Sequence, residues 1–125
     1  MYRLIVGIPP SVNHSHINIR KGDRIMRIRS RETKEYMSDT GWLAKRWMII
    51  AKWKIPDQEK KIIMRMWIYW PDNRRRDADN QVKILQDSLT DILWLDDRQV
   101  LPQVMDFTVD KHHPRVEIEL EVQSA

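Results

Sequence analysis

The stretch KIIMRMWIYWPDNRRRDADNQVKILQDSL, residues 61–89, sets the architecture. Residues 61–70 are β-branched and aromatic with little polar relief, which predicts a long strand at the centre of a sheet. Pro71 breaks it. From Asp77 to about Leu93, the residues Val82, Leu85, Leu89 and Ile92 recur at helical spacing and predict an amphipathic helix. A strand, a charged loop and a helix thus follow one another. The loop holds Arg74, Arg75 and Arg76, which run into Asp77 and Asp79.

Working outward, residues 2–8 (YRLIVGI) read as a buried strand ended by Pro9-Pro10. Residues 17–29 alternate around Lys21-Gly22-Asp23, the pattern of a hairpin with a glycine-containing turn. Its polar positions are largely arginine: Arg20, Arg24, Arg27 and Arg29. Ser30 is placed to cap a helix over 31–53, with Tyr36, Thr40, Leu43, Trp47 and Ile50 as its core-facing stripe. Pro56 ends that unit. Residues 95–102 read as a loop. Beyond it, QVMDFTVD and RVEIELEV alternate around KHHP, which predicts a closing antiparallel hairpin. The expected fold is α+β, one domain over residues 1–125. Its mixed sheet carries two main helices, in the order β-ββ-α-β-α-ββ.

At 125 residues the chain holds one core. No apolar run reaches membrane-spanning length, and the N-terminus lacks a signal-peptide layout. The expected location is therefore cytoplasmic. Zero cysteines exclude disulfides, thiolate chemistry and Cys-based zinc sites. Charge is unevenly spread: residues 1–56 carry 12 Lys/Arg against 4 Asp/Glu, and residues 57–125 carry 10 against 14. A basic half beside an acidic half suggests a polyanion-binding surface next to a carboxylate cluster.

Asp77 and Asp79 flank Ala78 at the mouth of the second helix. One of them would serve as a cap, and a solvated helix start would look similar. But the stretch supplies more acids than a cap needs. Asp79, Lys83 and Asp87, at i, i+4 and i+8, share one face, turned from the apolar stripe. Asp96-Asp97 follow just past that helix. Hard carboxylate oxygens suit Mg²⁺ or Mn²⁺, and a lysine beside them would offset charge growing on a phosphate. His14 and His16 are too few for a zinc site and read as polar contacts. His112-His113 fall in an exposed turn. Most of the six tryptophans, Trp47 and Trp67 especially, are expected in the core or at a dimer interface, and Trp94 beside the acidic pair could buttress the site.

RRRDADNQVKILQDSLTDILWLDDRQV, residues 74–100, resembles the signature of the RusA-like Holliday-junction resolvases, small endodeoxyribonucleases often carried by phages and prophages. The shared pattern is Arg-Arg-Asp-x-Asp-Asn-x-x-Lys, a short helix with Asp at its middle, then Asp-Asp-x-Gln-Val. The opening IPPSVNH and the helix start from Ser30 to Tyr36 are also similar, so the resemblance spans about residues 4–122. It implies a homodimer that binds four-way DNA junctions and makes paired symmetric nicks with Mg²⁺, with Mn²⁺ as substitute, in a bacterial or phage-infected cell. Carried over by residue, it implies Asp77, Asp79 and Asp97 as metal ligands, Lys83 as the catalytic lysine, and Asn80 and Asp87 as supporting residues. Asp96 is either a ligand or a turn residue. Arg74, Arg75 and Arg76 would grip the DNA backbone, with Arg20, Arg24, Arg27 and Arg29 along a flexible arm. Two departures stand out. The stretch before the acidic pair is about one residue shorter and lacks the relatives' glycine. Gln86 stands where some relatives carry an aromatic wedge. The rival readings are a junction-binding architectural protein that does not cut, and a different metal-dependent phosphodiesterase or nucleotide hydrolase.

Overall fold

The computed structural model describes residues 2–11, 15–74, 76 and 78–123, with only the backbone of Asn80. The elements are β1 (Leu4–Val6), β2 (His16–Lys21), β3 (Arg24–Arg29), α1 (Arg31–Ala51), β4 (Ile62–Trp70), α2 (Asp79–Leu89), a 3₁₀ turn (Asp97–Gln99), β5 (Val100–Val109) and β6 (Arg115–Val122). This is the expected α+β domain: a mixed four-stranded sheet ordered β1-β6-β4-β5, with a separate two-stranded ribbon β2-β3. Among the described residues no helix is long and apolar enough to cross a membrane.

β4 is central, as its composition predicts. Its side chains alternate between buried and partly exposed along all nine residues, so one face meets the helices and the other meets solvent. Ile62, Met64, Met66, Ile68 and Trp70 point inward with Leu85, Leu89, Leu93, Trp94, Val116, Ile118 and Leu120. Of the two places expected for Trp67, core or dimer interface, it does not take the core: it lies half-buried on the outer face, where the Arg3 guanidinium stacks 3.8 Å from its ring centroid. Trp42 is exposed, on the outer side of α1. Trp47 is buried as expected.

The closing hairpin is a correction. β5 pairs parallel with β4, and β6 pairs antiparallel with the other side of β4, so β4 lies between them. The helix α2 explains this. A strand–helix–strand crossover returns the chain in its original direction and sets β5 parallel beside β4, leaving β6 the opposite side. The link 110–114 then crosses the end of β4, about two strand spacings or ~10 Å, within reach of five residues. Asp110 organises the crossing. Its N–H donates to the Trp70 carbonyl at 2.8 Å, and its carboxylate accepts from the His112 and His113 N–H groups and from Arg115. The hydrogen bond from Arg115, then the one from His113, hold that carboxyl below its usual range.

α1 begins as predicted: the Ser30 hydroxyl accepts from the Thr33 N–H at 3.2 Å. Its buried face is rotated from the expected stripe. Thr33, Thr40, Gly41, Ala44 and Trp47 are buried, whereas Leu43 and Ile50 are exposed. Both sets fit helical spacing, and close packing selected the smaller one. A Cβ on Gly41 would stand 3.1 Å from the Ile92 side chain, so the small residues let α1 approach the segment just after α2. The helix ends on Lys52, whose φ of 56° is left-handed. A side chain there is strained where glycine is not. Lys52→Gly is expected to stabilise the fold by about 0.5–1 kcal/mol, measured as a raised denaturation midpoint at unchanged m-value.

Candidate active-site groove

The site is built on α2 and on the two segments that flank it. α2 starts at Asp79 with Ala78 as its cap residue, and Ala78 offers no capping side chain. Asp79 therefore sits inside the first turn, where a carboxylate is favoured by the helix dipole, and it is exposed. One turn on, Lys83 is exposed and Asp87 half-buried. As the i, i+4 spacing predicts, both line the same cleft, of about 530 Å³. Leu85 and Leu89 on the same helix are buried in the core, whereas Ile84, also buried, lines the cleft beside Lys83 and Asp87.

The opposite wall of that cleft is the ribbon β2-β3. Its register places His16 opposite Arg29, Asn18 opposite Arg27 and Arg20 opposite Ile25. These residues share one ribbon face, and His16, Arg27 and Arg29 line the cleft facing Lys83 and Asp87. The other face carries Ile17, Ile19, Met26 and Ile28, then Lys21 and Arg24 at the tip. Gly22, with φ of 63°, opens the two-residue turn, as a type II′ hairpin requires. The base of the ribbon is pinned to α1: the Ser15 carbonyl accepts from the Ser30 N–H and the Thr33 hydroxyl, both at 2.9 Å.

His16, read from the sequence as a polar contact in a loop, makes such a contact but not in a loop. It begins a strand, and its Nδ1 lies 2.8 Å from the Ser15 hydroxyl. The signal for the strand was its period-2 alignment with Arg20, which puts both on one ribbon face.

A second cleft, of about 520 Å³, continues from the first and shares Arg29, Met37 and Asp87 with it. Its far wall carries Asp91, Asp96 and Asp97. The segment between α2 and this wall is a tight turn. Asp91 takes a left-handed φ of 71° and donates its N–H to the Trp94 carbonyl at 2.7 Å. Aspartate is among the few residues that tolerate this conformation, so Asp91 turns the chain without a glycine. Trp94 is fully buried and donates its ring N–H to the Thr90 hydroxyl at 3.0 Å, which buttresses the turn from inside.

Asp96 and Asp97 have different work. The Asp96 carboxylate accepts from the Arg98 N–H at 2.9 Å, and the Asp96 N–H donates to the Gln99 Oε1, a complete capping box. The Arg98 guanidinium grips the same carboxylate through both oxygens. The Arg98 side-chain hydrogen bond, then its backbone one, lower the Asp96 pKa to about 2. Asp96 caps the 3₁₀ turn, and Asp97 is its first residue, exposed beside it.

The arginines after Pro71 also divide. Arg76 is pinned: its guanidinium lies 2.7 Å from the Asp72 carboxylate and 5.0 Å from the Trp70 ring centroid. That bond, then the Arg74 N–H, hold the Asp72 carboxyl low. The Arg74 side chain is 82% exposed, with a looser contact to Asp72 at 3.6 Å. Arg75, Asp77 and His14 lie outside the described residues.

The two clefts therefore place Lys83, under Arg27, in one lobe and Asp97 in the adjoining one, with Asp87 and Arg29 common to both. Asp79 lines neither cleft. Asp87 borders the Asp97 cleft, and eight residues of helix separate it from Asp79, about 12 Å at 1.5 Å per residue. Among the described residues no three His, Cys, Asp or Glu side chains cluster as a metal site.

No curated protein matches the chain. The family model for endodeoxyribonuclease RusA matches residues 8–121 of the 125. The chain therefore belongs to the RusA endodeoxyribonuclease family.

Proposed function

We propose that this RusA-family chain is a Mg²⁺-dependent endonuclease that resolves four-way DNA junctions by paired, symmetric nicks. The observation that carries this reading is the groove itself: in a RusA chain, Lys83 and Asp97 open into adjoining clefts roofed by an arginine-bearing ribbon. A groove with cations on its roof and carboxylates on its floor suits a phosphodiester held beside a cation.

The donor chemistry fits magnesium, with manganese as substitute: the acids on offer are all carboxylates, hard oxygen ligands. We assign the metal to Asp77, Asp79 and Asp97. When bound, the metal supplies a nucleophile from water and stabilises the leaving oxygen. The remaining work belongs to the chain's own side chains. Arg20, Arg24, Arg27, Arg29, Arg74 and Arg75 contact phosphates and set the register of the DNA. Arg76 orders the loop that presents Arg74. Lys83 places a positive charge where the phosphate becomes more negative.

A second copy of the chain completes this assignment. Asp79 and Asp97 stand toward opposite ends of α2, so a homodimer that sets one chain's Asp79 near its partner's acidic turn would close the set. Two-fold symmetry also supplies the two sites that paired nicks require. The open edge strand β5, with Leu101, Met105 and Phe107 exposed, is the surface we assign to that contact. Sedimentation should give a solution mass of twice 15.2 kDa. A mass of one chain at micromolar concentration speaks against the dimer.

The test of function is a synthetic four-way junction with Mg²⁺. Paired nicks at symmetric positions, lost on adding EDTA, are expected. Tight junction binding without cutting in any divalent metal would instead support the architectural reading, and preferential hydrolysis of nucleotides would support the third. We place the activity in the cytoplasm of a bacterial or phage-infected cell.

A further inference from the structure

The two clefts are joined, and partitioned, by one ion pair. Arg29, the last residue of β3, places its Nη2 3.5 Å from the Asp87 Oδ2 of α2, across 58 residues of sequence. Arg29 and Asp87 line both clefts. The pair therefore stands between the lobe of Lys83 and the lobe of Asp97. Both partners are partly exposed, the side chains at 46% and 28%. An ion pair of this kind is weak in water.

The ribbon needs such a contact. A two-stranded ribbon is marginally stable alone, and β2 and β3 are exposed nearly throughout. Its base is fixed to α1 through Ser15, Ser30 and Thr33. That anchor holds the hinge but does not set the angle of the ribbon over α2. Arg29–Asp87 links the ribbon to α2 and so bears on that angle. Yet Arg29 is also a guanidinium in a groove built for phosphate. A phosphate offers it a charge-assisted, bidentate partner of better geometry than a carboxylate at 3.5 Å.

We propose that Asp87 is a positioning residue: it holds Arg29, and with it the ribbon, across the groove in the DNA-free chain, and gives Arg29 up to a DNA phosphate on binding. This rests on the reading of the groove as a DNA site, and it adds an exchange of partners at a named pair. The partition between the lobes opens only when a backbone phosphate has taken Arg29. The pair competes with DNA, so removing Asp87 loosens the free ribbon and tightens binding.

The experiment uses the full chain and Asp87→Asn. Without DNA, amide hydrogen exchange across residues 16–29 should quicken several-fold in the variant. On a saturating junction with EDTA to prevent cutting, wild type and variant should exchange alike, because phosphate holds Arg29 in both. Junction affinity should rise, by no more than about fivefold, the size of an exposed pair. Asp87→Glu should restore both the slow exchange and the native affinity. Asp91→Asn removes a carboxylate from the same groove without a partner on the ribbon, so it should leave ribbon exchange unchanged. Ribbon exchange unaltered in Asp87→Asn, a difference that persists on the junction, or weakened binding would each overturn the proposal. A native chain that binds no junction overturns the nuclease reading instead, while the DNA-free exchange still decides whether the pair holds the ribbon.

Discussion

Asp79→Asn is expected to abolish junction cutting while the variant binds the junction at least as tightly as the native chain. The substitution keeps the shape of the side chain and removes its charge. A metal held by this carboxylate would stabilise charge at the reacting phosphate by several kcal/mol, so losing the ligand should lower the cutting rate by roughly 10³-fold or more. Binding moves the other way. One negative charge fewer beside a polyanion reduces repulsion. The fold should tolerate the change, because Asp79 is exposed and Ala78, not Asp79, occupies the cap position. The cost is the favourable dipole interaction in the first turn, about 0.3–1 kcal/mol. Single-turnover cutting in Mg²⁺, with gel-shift binding in EDTA, separates the two quantities. Cutting within tenfold of native would remove Asp79 from the metal set. A parallel loss of binding would make it a structural residue.

The same variant tests the dimer assignment if mixed with a second one. A heterodimer of Asp79→Asn and Asp97→Asn chains has one site with both lesions and one with neither, provided each site takes one aspartate from each chain. Cutting by the mixture, absent from either variant alone, is the signature of that sharing.

Much of this was legible in the sequence because it is local. The strand at 62–70 follows from β-branched and aromatic side chains, the cap at Ser30 from a serine before a helical period, and the shared face of Lys83 and Asp87 from a spacing of four. What was not legible depends on which element lies next to which. Alternation in 103–110 and 115–122 identifies two strands, but it does not reveal that β4 comes between them. That order follows from the crossover through α2. Tyr36, Thr40, Leu43, Trp47 and Ile50 make a helical stripe, and so do the residues actually buried. The close approach at Gly41 chose between them. Trp67 was read as core or dimer interface from periodicity, and it lies on the outer face, where a neighbouring arginine covers its ring. Asp96 and Asp97 are indistinguishable as letters. They separate only because Arg98 and Gln99 claim Asp96. The Arg29–Asp87 contact had no sequence signal, since nothing in either segment specifies how the ribbon lies over α2.

Lys83→Ala should slow cutting far more than it weakens binding. Lys83 is exposed in the cleft beside Asp87 and faces Arg27 and Arg29, so two roles are open to it. As a phosphate anchor it would act alike on ground state and transition state, and its removal would raise Kd and cut the rate through binding alone. As a transition-state contact it would act mainly when charge builds on the phosphate. The geometry favours the second role. The ribbon arginines already supply cations for the ground-state phosphates, whereas Lys83 projects from the rigid helix that also bears Asp79. A charge fixed on the element proposed to bear the metal would keep its distance to the reacting phosphate even if the ribbon shifted. Loss of such a contact costs on the order of 10²–10³ in kcat. The salt dependence offers a check that does not rely on cutting. A phosphate anchor contributes about one unit to the slope of log K against log salt, so Lys83→Ala should leave that slope nearly unchanged, and Arg27→Ala should reduce it. Equal losses in kcat/KM and junction affinity, with a slope lowered by about one, would show that Lys83 only holds the DNA.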